Sequence, residues 1–234
     1  MSSISDNLQA VSADIRAAAI ASGRDPQQLR LLAVSKTFPA DAVIDAAEAG
    51  QHCFGENYLQ EALEKMQEVH AKKPQLQLEW HFIGPIQSNK TRPIAEHFSW
   101  VHSVDREKIA QRLSEQRPAG MPALNICLQV NISGEASKSG VLPEEAVVLA
   151  QKIAVLPGLQ LRGLMAVPEA SDDEQVQRQA FRQLKLLSDD IQAAGISLDT
   201  LSMGMSSDMR AAIAEGSTMV RIGTAIFGNR NYAK

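Results

Sequence analysis

The chain has 234 residues, 44% of them hydrophobic, and a formal net charge of −4. That is the length of one α/β barrel or two small domains, with ample material for a core. The acidic balance gives no footprint for nucleic acid, and no stretch nears the roughly 18 apolar residues of a membrane span.

The N-terminal stretch is interrupted by Asp6, Asp14 and Arg16, so no signal peptide is expected. Ile4, Leu8, Val11, Ile15 and Ala18 instead mark one face of an amphipathic helix. Short apolar strands then alternate with helical patterns. LLAVSK (Leu31–Lys36) precedes a helix opened by Pro39, and HCFG (His52–Gly55) precedes one near Tyr58–His70. WHFIG (Trp80–Gly84) precedes a helix at Asn89–His97, and WVHSV (Trp100–Val104) one starting at Asp105. LNICLQVNI (Leu124–Ile132) reads as the longest strand, followed by a helix with Pro143 in its first turn. LQLRGLMAV (Leu159–Val167) precedes the long helix Asp172–Ala194, and TLSMG and TMVRIG complete the series.

Eight strand candidates, each with room for a crossover helix, predict a single (β/α)8 TIM barrel rather than an open doubly wound sheet. The first helix is an extra element, or stands in for a helix missing after the last strand. Residues 1–234 read as one domain with no linker; the Pro/Gly patch Arg117–Pro122 is a loop. Cys53 and Cys127 lie in apolar runs and read as buried thiols. The five histidines are scattered, so no metal is expected. A cytoplasmic protein is expected.

Barrels place their chemistry at the C-terminal strand ends. Those ends carry Lys36, Asn57, His81, Ser103, Asn131, Met165, Ser206, and Arg221 with Gly223 and Thr224. The last two strands each run into a Gly/Ser-rich turn, Thr200–Met209 and Thr218–Gly228. Small residues with free backbone N–H groups ahead of a helix cradle phosphate. Ser206 serves there as a phosphate ligand or a helix cap. Gly223 and Thr224 either bend the strand or aim an N–H and a hydroxyl at phosphate.

Lys36 at a barrel mouth is either a snorkelling strand-end lysine or a partly desolvated nucleophile that forms a Schiff base with an aldehyde. With a phosphate cup in the same barrel the second reading gains, and pyridoxal phosphate carries both groups. A phosphorylated aldolase substrate is the competing tenant. Arg221, inside an apolar strand, either pairs with a carboxylate such as Glu56 or faces the cofactor's ring nitrogen. A guanidinium there keeps its proton and leaves that nitrogen unprotonated, which weakens the electron sink. Asn57 caps the next helix or supports the ring, Met165 forms an apolar wall, and His81 is an interior histidine or a cofactor contact.

These segments resemble the pyridoxal phosphate homeostasis proteins, the alanine racemase-like N-terminal domain family. The resemblance rests on LLAVSK, FGENYLQE (Phe54–Glu61), HFIGPIQSNK (His81–Lys90) and SKSG (Ser137–Gly140). It extends through GLMAV (Gly163–Val167), SMGMSSDM (Ser202–Met209) and GSTMVRIGTAIFG (Gly216–Gly228). It implies a barrel holding pyridoxal phosphate as an aldimine on Lys36, with phosphate around Ser206, Gly223 and Thr224. It also implies Arg221 at the ring nitrogen and Asn57 nearby, while Lys138 and Lys234 are further amines able to receive or relay cofactor. Racemases of this barrel add a β-rich domain and a second acid/base, neither of which is read here. The expectation is a monomeric carrier that regulates pyridoxal phosphate supply, with apo-enzymes as recipients and amino-acid racemisation as the alternative.

Overall fold

Eight parallel strands close on one another in chain order, so the first and last are neighbours. The computed structural model describes residues 3–135 and 139–229. The strands are β1 (Arg30–Val34), β2 (Cys53–Glu56), β3 (Glu79–Phe82), β4 (Trp100–Val104), β5 (Leu124–Gln129), β6 (Leu159–Met165), β7 (Thr200–Ser202) and β8 (Met219–Ile222). β8 lies against β1 from Arg30↔Met219 to Ala33↔Ile222, which seals the barrel. The (β/α)8 architecture read from the strand spacing is the one found.

The outer ring comprises α1 (Ile4–Ala21), α2 (Ala40–Glu48), α3 (Leu59–Lys72), α4 (Thr91–His97), α5 (Glu107–Gln116), α6 (Pro143–Ala154), α7 (Glu174–Ala193), α8 (Met209–Ala214) and α9 (Thr224–Phe227). Ser3 and Asp6 form a reciprocal capping box that starts α1. Leu8, Val11, Ile15 and Ala18 bury its apolar face. α1 packs against α2, α8 and α9. It fills the outer position that the single turn of α9 is too short to cover. No described helix is long and apolar enough to cross a membrane.

Strand ends differ from the sequence reading in two places. β5 stops at Gln129 because Val130 turns to bridge Val141, so β6, with seven residues, is the longest strand. β1 stops at Val34, which places Lys36 in the following turn and not on the strand. The main apolar core lies between strands and helices, whereas Trp100, Cys127 and Met165 form a separate cluster. Residues two apart on a strand share a face. Arg30, Leu32 and Val34 on β1 and Glu79 and His81 on β3 therefore line the barrel interior with Arg221.

Gly163 is where β6 approaches β7 most tightly: a Cβ there would lie 1.7 Å from the Thr200 carbonyl oxygen. Backbone, not a flexible side chain, blocks the space. Gly163→Ala is therefore expected to cost about 1–3 kcal/mol of stability or more, read as a lower urea midpoint. An unchanged midpoint would show that the two strands can separate freely.

Candidate functional site

The C-terminal strand ends surround a cavity of about 470 Å3. Lys36, Asn57 and Met165 line it, as do Ser206, Arg221, Gly223 and Thr224. Apolar wall comes from Val34, Ile83, Val167 and Met205. Such a volume suits a small organic ligand. Ser103 and Asn131 turn elsewhere: Ser103 donates to the Gly84 carbonyl at 2.6 Å, and Asn131 Nδ2 to the Glu135 carbonyl at 2.8 Å. Lys138 and Lys234 lie outside the described residues.

Lys36 occupies the second position of a turn closed by Phe38 N–H donating to the Ser35 carbonyl at 3.1 Å. Thr37 follows at φ 68°, a conformation that a β-branched residue rarely adopts. Its N–H donates to Glu61 Oε1 at 2.6 Å. Beneath the turn, the Lys65 ammonium donates to the Ser35 carbonyl (2.7 Å), Glu56 Oε1 (2.6 Å) and Glu61 Oε1 (2.9 Å). Ser35 Oγ also donates to Glu56 Oε1 at 2.7 Å. Both peptides flanking Lys36 are thus tied to one buried ion cluster. Burial pushes the Glu56 carboxyl up against the opposing pull of Lys65 and Ser35.

The two Gly/Ser turns lie side by side because β7 and β8 are adjacent. Ser206 is not a helix cap. α8 begins at Met209 behind Asp208, whose carboxylate instead accepts from Met205 N–H at 2.6 Å. Gly204, at φ 96°, bends the chain so closely over α8 that a Cβ would sit 2.6 Å from that of Ala212. Ser206 and Ser207 are left at the cavity rim. Opposite them Gly223 precedes α9; Ile226 and Phe227 N–H donate to the Gly223 carbonyl at 2.9 and 3.0 Å, and the Thr224 and Ala225 amides stand ahead of that ladder.

Asn57 does not cap α3 either; Tyr58 holds that position, without a side-chain cap bond. The Asn57 Oδ1 is buried and unpartnered. Gly84 lets the Asn57 backbone approach, since a Cβ there would lie 2.1 Å from the Asn57 carbonyl oxygen. Arg221 does not pair with Glu56. Its Nη1 donates to Ser202 O (2.5 Å) and Ser202 Oγ (2.9 Å), and Nη2 to Ala166 O (3.0 Å). Burial brings the guanidinium down to about 10, which leaves it cationic at neutral pH.

His81 does not line the cavity. Its buried ring hydrogen-bonds Glu79 and His102, one layer deeper in the barrel. Cys53 is only half-buried, at the closed end beside Arg30 and Glu79, in contrast to the core position expected. Cys127 is buried as expected, its thiol pushed up to about 12 by desolvation. Sequence reading missed Lys65, whose place in an amphipathic helix is that of a surface lysine. It also missed Glu79, though Glu79 and His81 share a strand face.

The family described as alanine racemase, N-terminal domain, matches residues 7–231. A pyridoxal phosphate homeostasis protein from Pseudomonas aeruginosa is 62% identical over 99% of this chain and 98% of its own. The chain belongs to the pyridoxal phosphate homeostasis family of alanine racemase N-terminal domains. The solved structure of PipY from Synechococcus elongatus with PLP bound superposes with a TM-score of 0.82 at 35% identity. That match covers 96% of this chain and all (100%) of PipY. An alanine racemase from Clostridium difficile shares the fold at 18% identity and a TM-score of 0.72, covering 97% of this chain and 57% of the racemase.

Two outcomes follow from the family member's ion clusters. Lys65→Met strands the fully buried Glu56 carboxylate and is expected to cost about 3–5 kcal/mol in urea unfolding. A loss under about 1 kcal/mol would mean that Glu56 is not charged in the folded chain. Burial raises the Glu79 carboxyl, but the His81 hydrogen bond and the charges around it, Arg30 included, outweigh this and lower it to about 2 from 4.5. Its stabilisation is complete above 4.5 and lost as pH falls towards 2. The stability gap between wild type and Glu79→Leu should narrow over that window in pH-dependent denaturation; a gap independent of pH would refute the depressed carboxyl.

Proposed function

We propose that this chain binds pyridoxal phosphate and regulates its free supply in the cytoplasm, acting as a monomeric carrier for apo-enzymes rather than turning over a substrate. The observation that carries this reading is the meeting of Lys36, the two Gly/Ser turns and Arg221 around one cavity. The cytoplasmic placement is in keeping with two unpaired cysteines.

The residues present fit the cofactor. Its phosphate belongs between the Ser206 hydroxyl and the Gly223–Thr224 amides and hydroxyl. The unpartnered Asn57 Oδ1 accepts a hydrogen bond from the ring side. Met165 and Val34 flank the ring, and the Arg221 guanidinium faces its nitrogen as a donor. Lys36 Nζ takes the aldehyde carbon in a C=N bond as water leaves. When bound, the cofactor supplies an electrophilic carbon and an electron-accepting ring. Arg221, unable to give up its proton at neutral pH, keeps the ring nitrogen unprotonated and limits that second capacity. His81 is not assigned a cofactor contact.

Borohydride reduction of the loaded protein should leave one adduct, on Lys36, by mass spectrometry; Lys36→Ala should leave none, and a persisting adduct would sink the assignment. Thr224→Val removes one charge-assisted bond to phosphate and should weaken binding by about tenfold or more in a fluorescence titration. Robust Lys36-dependent racemisation in a chiral amino-acid assay would overturn the carrier reading.

A further inference from the structure

A chain of hydrogen bonds runs through the barrel interior from the cavity to its closed end. Arg221 Nη1 donates to Ser202 Oγ, which meets His102 Nδ1 at 2.8 Å. His102 Nε2 meets His81 Nδ1 at 2.8 Å, and His81 Nε2 meets Glu79 Oε1 at 2.8 Å. Arg30 Nη2 donates to that same carboxylate oxygen at 2.5 Å. Ser202, His102 and His81 are wholly buried.

The direction of every link follows from one end. Glu79, paired with Arg30, is a carboxylate and only accepts, so His81 Nε2 carries the proton. Desolvation lowers the basicity of both histidines, which are therefore neutral. A neutral His81 accepts at Nδ1, so His102 donates from Nε2 and accepts at its own Nδ1. The Ser202 hydroxyl must supply that last proton. Its lone pairs are then left for Arg221. Ring planes are not free to adjust: His81 stacks on Trp100 at 5.4 Å and 6°. Arg30 and Arg162 lie over the same indole, 5.8 and 4.9 Å from its centroid. Only the tautomers remain to be set.

We propose that Glu79 is a positioning residue for Arg221: through His81, His102 and Ser202 it keeps the Ser202 oxygen turned as an acceptor towards the guanidinium at the cavity. The inference rests on the reading that Arg221 faces the cofactor ring. In the reversed chain His102 Nδ1–H donates to Ser202, and the serine proton must point elsewhere in the same buried space. That weakens the hold on Nη1. Cys53, Glu79 and His81 also bring ligand atoms within 4.8 Å of one another. The Arg30 guanidinium, donating to Cys53 Sγ at 3.0 Å as well as to Glu79, already takes the place a metal ion would need.

The test is nitrogen-15 NMR of labelled histidine rings, with and without pyridoxal phosphate, in wild type, Glu79→Leu and Ser202→Ala, alongside the visible spectrum of the loaded proteins. Wild type should show His81 and His102 protonated at Nε2 and bare at Nδ1. Glu79→Leu should lose this single tautomer at both rings and shift the bound-cofactor band in the same direction as Ser202→Ala, with borohydride trapping at Lys36 retained. A wild-type His102 protonated at Nδ1 overturns the proposal. So does a Glu79→Leu protein with tautomers or band unmoved. Should Glu79→Leu fail to fold, an unmoved band in Ser202→Ala overturns it equally. Absence of any trapped cofactor in wild type would refute the functional reading instead, and the cofactor-free tautomers would still decide the chain's direction.

Discussion

The mouth of the barrel depends on one buried ammonium. Lys65 has 3% of its side chain exposed, and a lysine there is tolerable only if all three of its N–H groups find acceptors. They find a carbonyl at the end of β1, a carboxylate at the end of β2 and a carboxylate on α3. Removing any one of the three would leave a desolvated charge short of a partner. The cluster therefore locks the relative height of two strands and a helix, and with it the turn that presents Lys36. The left-handed Thr37 is the local cost of that turn, offset by the Glu61 bond to its N–H.

Arg221 meets the same difficulty by other means. Its guanidinium lies in the barrel interior, yet it donates to two carbonyls and a hydroxyl rather than to a carboxylate. Neutral acceptors satisfy its hydrogen bonds without cancelling its charge. A carboxylate partner would have drawn off the electrostatic field that a cavity-lining cation can direct at a bound group. The carboxylate expected as its partner, Glu56, instead takes Lys65 and Ser35 on its Oε1.

Much of this was legible in the chain. Apolar runs of strand length at crossover spacing fix the closed barrel, and closure alone brings Lys36 beside Gly223 despite their distance in sequence. The strand alternation likewise puts Arg221 inside. What was hidden has physical reasons. Lys65 sits in a helix whose polar residues mostly face water, so nothing local marks it as buried. Ser206 has the residue type of a cap, but α8 starts only at Met209 and the Asp208 carboxylate satisfies the turn ahead of it. His81 lies one residue from the end of β3, but its ring points down the barrel to His102 and Glu79 rather than into the cavity, which strand position alone does not reveal.

These features divide the site into two kinds of support. Lys36, Ser206, Gly223 and Thr224 stand on turns, held by backbone hydrogen bonds and the Lys65 cluster. Arg221 stands on a strand interior, held by Ser202 and the Ala166 carbonyl. Turns can open locally without disturbing the barrel, while a strand-interior residue moves only with the whole fold. On the proposed reading, the groups that grip the ends of the cofactor stand on these turns, and the group that faces its ring stands in the strand interior. The proposed carrier asks for a fixed polarisation of the ring, and an arginine held in the strand interior by Ser202 and the Ala166 carbonyl meets that demand.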